Sequence, residues 1–222
     1  MFNKVCLPVV VGLLALAAGG CLEENREASA GATAKPVLSA TGAPRGRQCA
    51  AGDTPSIPHT APRQMYWKRF KGVALPFSPS VGPLFVEGDI AHCYAHTPRG
   101  ALLAAVQISV RLDRSEKWQT ILEQQVVAGE GKAAYARVRA SSKVVPAKEA
   151  AQLRGFRIVS YTSRTAVVGT VSLDPVRGGR VARDTTVQWD GEWKLVPTAD
   201  GHSGSAPRAV DSLAGYVFWG GF

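Results

Sequence analysis

The run TAVVGTVSLDPVRGGRVARDTTVQWDGEWKLV, Thr165–Val196, decides the fold. Thr165–Asp174 and Val181–Asp190 are rich in Val and Thr with partial alternation, the composition of half-buried strands. Gly178-Gly179 between them has the form of a two-residue hairpin turn, and Asp190-Gly191 repeats that form before Glu192–Val196. On this reading Val181, Val187 and Trp189 share one face, and Trp193 and Leu195 point inward. Phe156–Tyr161 supplies a further strand upstream. Hairpin-linked runs of this kind predict an antiparallel meander.

Towards the N-terminus the period changes from two to about 3.6. Thr97-Pro98 reads as an N-cap followed by proline at the first helical position. Ala101, Leu102, Ala105, Ile108 and Leu112 then fall on one helical face, with Arg111 and Arg114 in or near the last turn. Ser115 is placed to cap a second helix, with Trp118, Ile121, Leu122 and Val126 as its stripe. A third helix is predicted over roughly Lys132–Ser142, and a short fourth from near Pro146 to Gly155. The first half of the domain therefore reads as helical. Helices followed by a meander give the α+β class, with N-terminal helices packed in a curved antiparallel sheet.

The chain has 222 residues, 45% hydrophobic and 19% charged, with 26 Lys+Arg against 17 Asp+Glu and a formal charge of +9. These values exclude a wholly disordered or collagen-like chain. The longest uncharged apolar run, Val5–Gly20, is shorter than a membrane-spanning helix needs, which excludes a polytopic membrane protein.

Residues 1–21 read as a secretory signal, with Lys4 in the positive region and Val5–Gly20 as the apolar core. It ends Ala18-Gly19-Gly20-Cys21, which resembles the lipobox of bacterial lipoproteins. That resemblance implies cleavage before Cys21 and lipidation of its thiol, so that the mature protein is extracytoplasmic and membrane-anchored. It departs from the commonest pattern in having Ala18 where leucine is usual; the plainer alternative is an ordinary signal peptide cut nearby. Residues 22–63 are rich in Ala, Gly, Pro, Ser and Thr and cannot bury enough apolar surface to order themselves. They read as a linker with a reach on the order of 35 Å. The folded domain is assigned to 64–222, enough for one core that buries roughly 68–70% of its unfolded surface.

Cys6 belongs to the signal and Cys21 to the lipobox, leaving Cys49 and Cys93. An even pair in an oxidising compartment is a candidate disulfide, closing a loop of about 44 residues for roughly 3–4 kcal/mol. The alternative is two unpaired thiols.

Reactive side chains are densest in His92-Cys93-Tyr94-Ala95-His96. His92 and His96 would share a face on a helix, but Pro98 argues that the cluster precedes the helix. His59 and His202 lie in the linker and a loop, so a metal site is short of ligands. A Cys93–histidine nucleophile is disabled by pairing with Cys49. Gly-x-Ser-x-Gly, the P-loop and a dinucleotide fingerprint are absent. No cofactor and no catalytic residue is expected. If the sheet forms a cup, Asp113, Asp184 and Asp190 are the acids to consider, although Asp-Gly at 190 is what the turn itself demands.

Lys68-Arg69, Lys71, Arg137, Arg139, Arg177, Arg180 and Arg183 are scattered and have no interleaved aromatics, which argues against nucleic acid as a partner. Anionic headgroups or an acidic wall fit the charge better. The tail Leu213–Phe222 is expected to fold back as a last strand or plug, or else to dock a partner subunit.

Helices before a meander is also the order of the nuclear transport factor two-like, cystatin-like cone. Further stretches are Gly72-Val73-Ala74-Leu75-Pro76, Tyr94-Ala95-His96-Thr97-Pro98-Arg99-Gly100, Trp189-Asp190-Gly191-Glu192-Trp193 and Gly215-Tyr216-Val217-Phe218-Trp219. Together they resemble an uncharacterised family of actinobacterial envelope lipoproteins of conjugative and integrative elements. Their architecture is similar to the extracytoplasmic domains of type IV secretion scaffold proteins. The resemblance implies a structural or assembly role beside other envelope transfer proteins, or self-association, without chemistry of its own. A ligand-binding or enzymatic cone, and an envelope lipoprotein unrelated to DNA transfer, are the alternatives.

Overall fold

Four short strands come first in the domain: β1 (Tyr66–Phe70), β2 (Val73–Phe77), β3 (Phe85–Glu87) and β4 (Ile90–His92). Three helices follow, α1 (Pro98–Arg114), α2 (Trp118–Gln125) and α3 (Glu130–Ser141), then a 3-10 turn at Ala147–Glu149. Strands β5 (Gln152–Tyr161), β6 (Thr165–Asp174), β7 (Gly179–Asp190), β8 (Glu192–Val196), β9 (Arg208–Val210) and β10 (Val217–Phe218) complete it. The computed structural model describes Cys49, residues 56–176 and residues 178–221, all within the unit Gly46–Phe222. The signal segment, Cys21 and most of the linker lie outside the described residues. No helix among the described residues is long and apolar enough to cross a membrane.

The class is α+β, and the main sheet is antiparallel with six strands, ordered β10-β5-β6-β7-β8 with β9 also on β7. Its meander matches the strand runs read from the sequence, with two corrections at the turns. Asp174 pairs with Gly179, so the first connection lies between those two residues rather than at Gly178-Gly179, and the Gly178 N–H donates to the Asp174 carbonyl at 3.0 Å. Asp190 pairs with Glu192, leaving Gly191 alone at the apex with φ +72°, a conformation that glycine adopts without a Cβ clash.

The first half is not all helix. The hairpins β1–β2 and β3–β4 precede α1. They escaped the periodicity reading because they are short and because all five residues of β2 are buried, which erases alternation. Helix α1 begins as expected: Thr97 Oγ1 accepts the Gly100 N–H at 3.2 Å and Pro98 occupies the first turn. It is buried on nearly all sides rather than on one face, because β2 and β4 cover it opposite the sheet. Its one interior amide, Gln107, is satisfied: Nε2 donates to the Pro76 carbonyl at 2.7 Å and Oε1 accepts from Arg111 Nε at 2.9 Å.

The N-cap of α2 is Lys117 rather than Ser115, but the Ser115 hydroxyl accepts the Lys117 N–H at 2.8 Å at the helix entry and donates to Asp89 Oδ2 at 2.6 Å. The predicted fourth helix is only the 3-10 turn, and β5 starts at Gln152. The C-terminal segment folds back: Val217 and Phe218 pair with Phe156 and Gly155, and Trp219, 4% exposed, packs on Trp67 and Phe156.

Register sets the layer that matters. Pairing Ala166 with Val187, Val168 with Thr185, Thr170 with Arg183 and Ser172 with Val181 brings these residues to one inner face. Its first part, with Leu195 and Trp193 from β8, is fully buried under Leu102 and Ile108 of α1.

Candidate functional site

Beyond Val168 the inner face turns polar, and the helices no longer close over it. Thr170, Ser172 and Asp174 of β6 and Arg183 of β7 line a cleft of about 470 Å3. Opposite them stand Asp113 from the last turns of α1 and Tyr135 from α3. The size suits a small molecule.

The walls are held by arginines bonded to backbone carbonyls. Arg139 donates from Nε to the Leu112 carbonyl at 3.2 Å and from Nη2 to that of Ser115 at 3.1 Å, fastening α3 to the end of α1. Arg114 donates to the carbonyls of Lys71 at 2.8 Å and Val145 at 2.9 Å. The Arg139 bond satisfies a carbonyl that the end of α1 leaves open, and both cations favour the helix dipole there, while Arg114 ties α1 to the loops at Lys71 and Val145. The rim is the turn Thr198–His202, in which the Thr198 N–H donates to the His202 carbonyl at 2.9 Å. It sits tight on α3: a Cβ on Gly201 would lie 2.6 Å from the Ala134 carbonyl, so only glycine brings Ser203 this close.

Asp113 is the centre. Its Oδ1 accepts from the Tyr135 hydroxyl at 2.9 Å, its Oδ2 accepts from Ser203 Oγ at 2.9 Å, and Arg183 Nη1 stands 3.9 Å from Oδ2. The carboxylate lies deep among protein atoms, yet 42% of its side chain is exposed because the cleft opens onto it. Desolvation pushes its carboxyl above the usual range, opposed by the hydrogen bonds from Ser203 and Tyr135 and by Arg183 and Arg139. Burial, and then the Asp113 charge, push the Tyr135 hydroxyl up, so it stays a proton donor. The set offers a fixed acceptor beside a guanidinium, with no histidine between Ser203 and the acid to act as a base.

The other singled-out residues lie elsewhere. Cys49 and Cys93 form a disulfide with a Cα–Cα distance of 4.7 Å. His92 and His96 diverge. His92 sits 3.8 Å from Glu192 and 3.7 Å from Glu87, whereas His96 stacks on Trp189 at 3.9 Å and meets the Ser163 carbonyl. Among the described residues, one His/Cys/Asp/Glu group has donors near enough for a metal, namely Cys49, Cys93 and Glu192, and both its sulfurs are in the disulfide. Asp184 pairs with Arg208 at 3.3 Å and Arg157 at 3.9 Å, away from the cleft. Asp190 pairs with Lys194 at 2.7 Å at the turn, which holds its carboxyl below the usual range.

Of the three acids considered, the structure brings only Asp113 to the cleft. Tyr135, Ser203 and the inward course of Arg183 were not singled out. One signal could have found the last: after Ala166 and Val168, the same parity continues with Thr170, Ser172 and Asp174, so the apolar alternation fails on a face that had been apolar. Comparison with known families places residues 28–218 within a domain of unknown function (DUF8175), and the chain belongs to that family. No curated protein and no solved structure matches it.

Proposed function

We propose that this member of the family is a lipid-anchored, extracytoplasmic accessory protein, held at the membrane through Cys21 and its linker, with an assembly role in a conjugative, type IV secretion-like transfer system. The observation that carries this reading is the Cys49–Cys93 disulfide, since such bonds persist in oxidising compartments. It ties Cys49, inside the linker, to Cys93 directly after β4, so the linker is fastened to the domain. The bulges of β5 at Leu153/Gly155 and Ile158/Ser160 bend the sheet and suit a cone around α1. The partners are other envelope transfer proteins or further copies of the chain. Metabolic labelling with a fatty acid and membrane fractionation test the anchor: Cys21→Ala is expected to abolish label and release the protein. A cytosolic, unlabelled wild type would remove this reading. Adjacent coupling-ATPase or relaxase genes would support the transfer role, and their absence would favour an envelope lipoprotein of other purpose.

The cleft favours a second reading, a cone that binds a small ligand. A magnetic-resonance fragment screen that leaves Asp113, Tyr135 and Arg183 unshifted would sink it.

A further inference from the structure

The charges at the floor of the cleft are in contact but incompletely matched. Asp113 and Arg183 stand 3.9 Å apart with no hydrogen bond between them. A carboxylate has about four acceptor positions and a guanidinium five donors. Asp113 uses two positions, on Tyr135 and Ser203. The Arg183 guanidinium donates no hydrogen bond among the described residues, and Lys143, also lining the cleft, has neither hydrogen bond nor ion pair there. Arg114 and Arg139, by contrast, are committed to backbone carbonyls. The free capacity is thus one acceptor group beside the Arg183 cation, with Lys143 elsewhere on the lining and Val110, Val138 and Val181 supplying apolar wall.

The geometry points to a zwitterion site. Asp113 takes the ammonium of an α-amino acid or peptide-like ligand, Arg183 and Lys143 take its carboxylate, and the valines take an aliphatic side chain. This rests on the binding reading of the cleft and names its ligand class. An anion alone would meet Arg183 but also face the like charge of Asp113. A cation alone would leave Arg183 and Lys143 unmatched. Only a molecule carrying both charges a few ångströms apart complements the floor on each side. Two further acids line the cleft, Asp174, whose Oδ1 accepts the Val176 N–H at 2.9 Å, and Glu149 of the 3-10 turn; the Asp113 variant below separates their part from that of Asp113.

Calorimetric titration of the full chain with L-leucine, leucinamide and N-acetylleucine tests the assignment, because the last two each lack one charge. Leucine is expected to bind at least tenfold more tightly than either. Asp113→Asn should erase its advantage over N-acetylleucine, and Arg183→Gln its advantage over leucinamide, with Arg183→Lys restoring part of the latter. Melting curves establish that each variant is folded; Asp113→Asn is isosteric, so the result does not hang on the arginine variants. If N-acetylleucine or leucinamide binds as tightly as leucine, the site reads one charge and the zwitterion assignment fails while the binding reading stands. If none of the three binds the folded wild type, the zwitterion assignment fails, and the binding reading falls with it only if the fragment screen also leaves Asp113, Tyr135 and Arg183 unshifted.

Discussion

Two parts of one sheet face make the most informative contrast in this molecule. Ala166, Val168, Val187 and Leu195 are fully buried beneath α1, whereas Thr170, Ser172, Asp174 and Arg183, on the same strands with the same parity, face an open cleft. Helix α1 serves both parts: Leu102, Ile108 and Leu112 are fully buried, while Ser109, Val110 and Asp113 line the cleft. The helix contributes by face rather than by level: Leu112, in the same last turns, is fully buried, while Asp113 beside it is turned to the cleft. A buried polar group without a partner costs about 1–3 kcal/mol, so a polar stretch on an inner face persists only where water, a ligand or a protein partner such as Tyr135 and Ser203 for Asp113 meets it. The apolar part stabilises the fold, and the polar part holds the wall of a cleft open.

The largest test of that division is Trp193→Ala. Trp193 is 1% exposed and donates from Nε1 to the Ala95 carbonyl at 3.0 Å, joining β8 to the start of α1. Truncation is expected to cost about 3–5 kcal/mol by chemical denaturation. A loss under about 1 kcal/mol would mean that the packed part is not the stabilising one. Val168→Thr comes next. It places a hydroxyl among fully buried side chains with the shape nearly unchanged, and should cost about 1–3 kcal/mol.

How far the sequence reveals this follows from the same contrast. The meander was legible because Val, Thr and Trp alternate through β6 and β7, and α1 because Thr97, Pro98 and the alanine–leucine run agree on one helix. The early hairpins were not legible, since β2 is buried throughout and β3 and β4 have three residues each. At the cleft, Asp113 was one acid among three, and nothing local separates it from Asp184 or Asp190. What separates it is tertiary. Tyr135 is 22 residues away and Ser203 is 90, and only the packing of α3 and the Thr198–His202 turn bring them to one carboxylate. The Cys49–Cys93 disulfide was legible only as a candidate, reached by assigning Cys6 to a signal and Cys21 to a lipobox; spacing did not choose it, since four cysteines allow three pairings.

Asp113→Asn probes the polar part with a smaller effect and a defined sign. Desolvation raises the folded-state carboxyl above its value in the unfolded chain. Between those two values the folded protein binds more protons, so stability falls as pH rises through that interval and levels off above the folded value. Asparagine removes the group that titrates. The variant should therefore gain stability relative to wild type at neutral pH and lose that gain below the ordinary carboxyl range, as read from denaturation midpoints at the two pH values. With the side chain substantially exposed, the gain should stay within about 1 kcal/mol. The opposite sign would make Asp113 a stabilising ion-pair partner of Arg183 rather than a group held against its own solvation.

The smallest effect is the most pointed comparison, Thr170→Val against Val168→Thr, two positions apart on one face of β6. Thr170 lines the cleft, and its hydroxyl reaches the Arg183 carbonyl at 3.4 Å, a long and weak bond whose acceptor already has the strand ladder. Valine has nearly the same shape and a higher preference for burial, so on packing grounds alone it should be at least as good as threonine. The expected change is within about 0.5 kcal/mol in denaturation. If Thr170→Val stabilises by more, the polar residue is maintained at the expense of stability, which is what a binding wall requires. If it destabilises by as much as Val168→Thr, the two parts of the face obey one rule, and the cleft is a gap in the packing rather than a site.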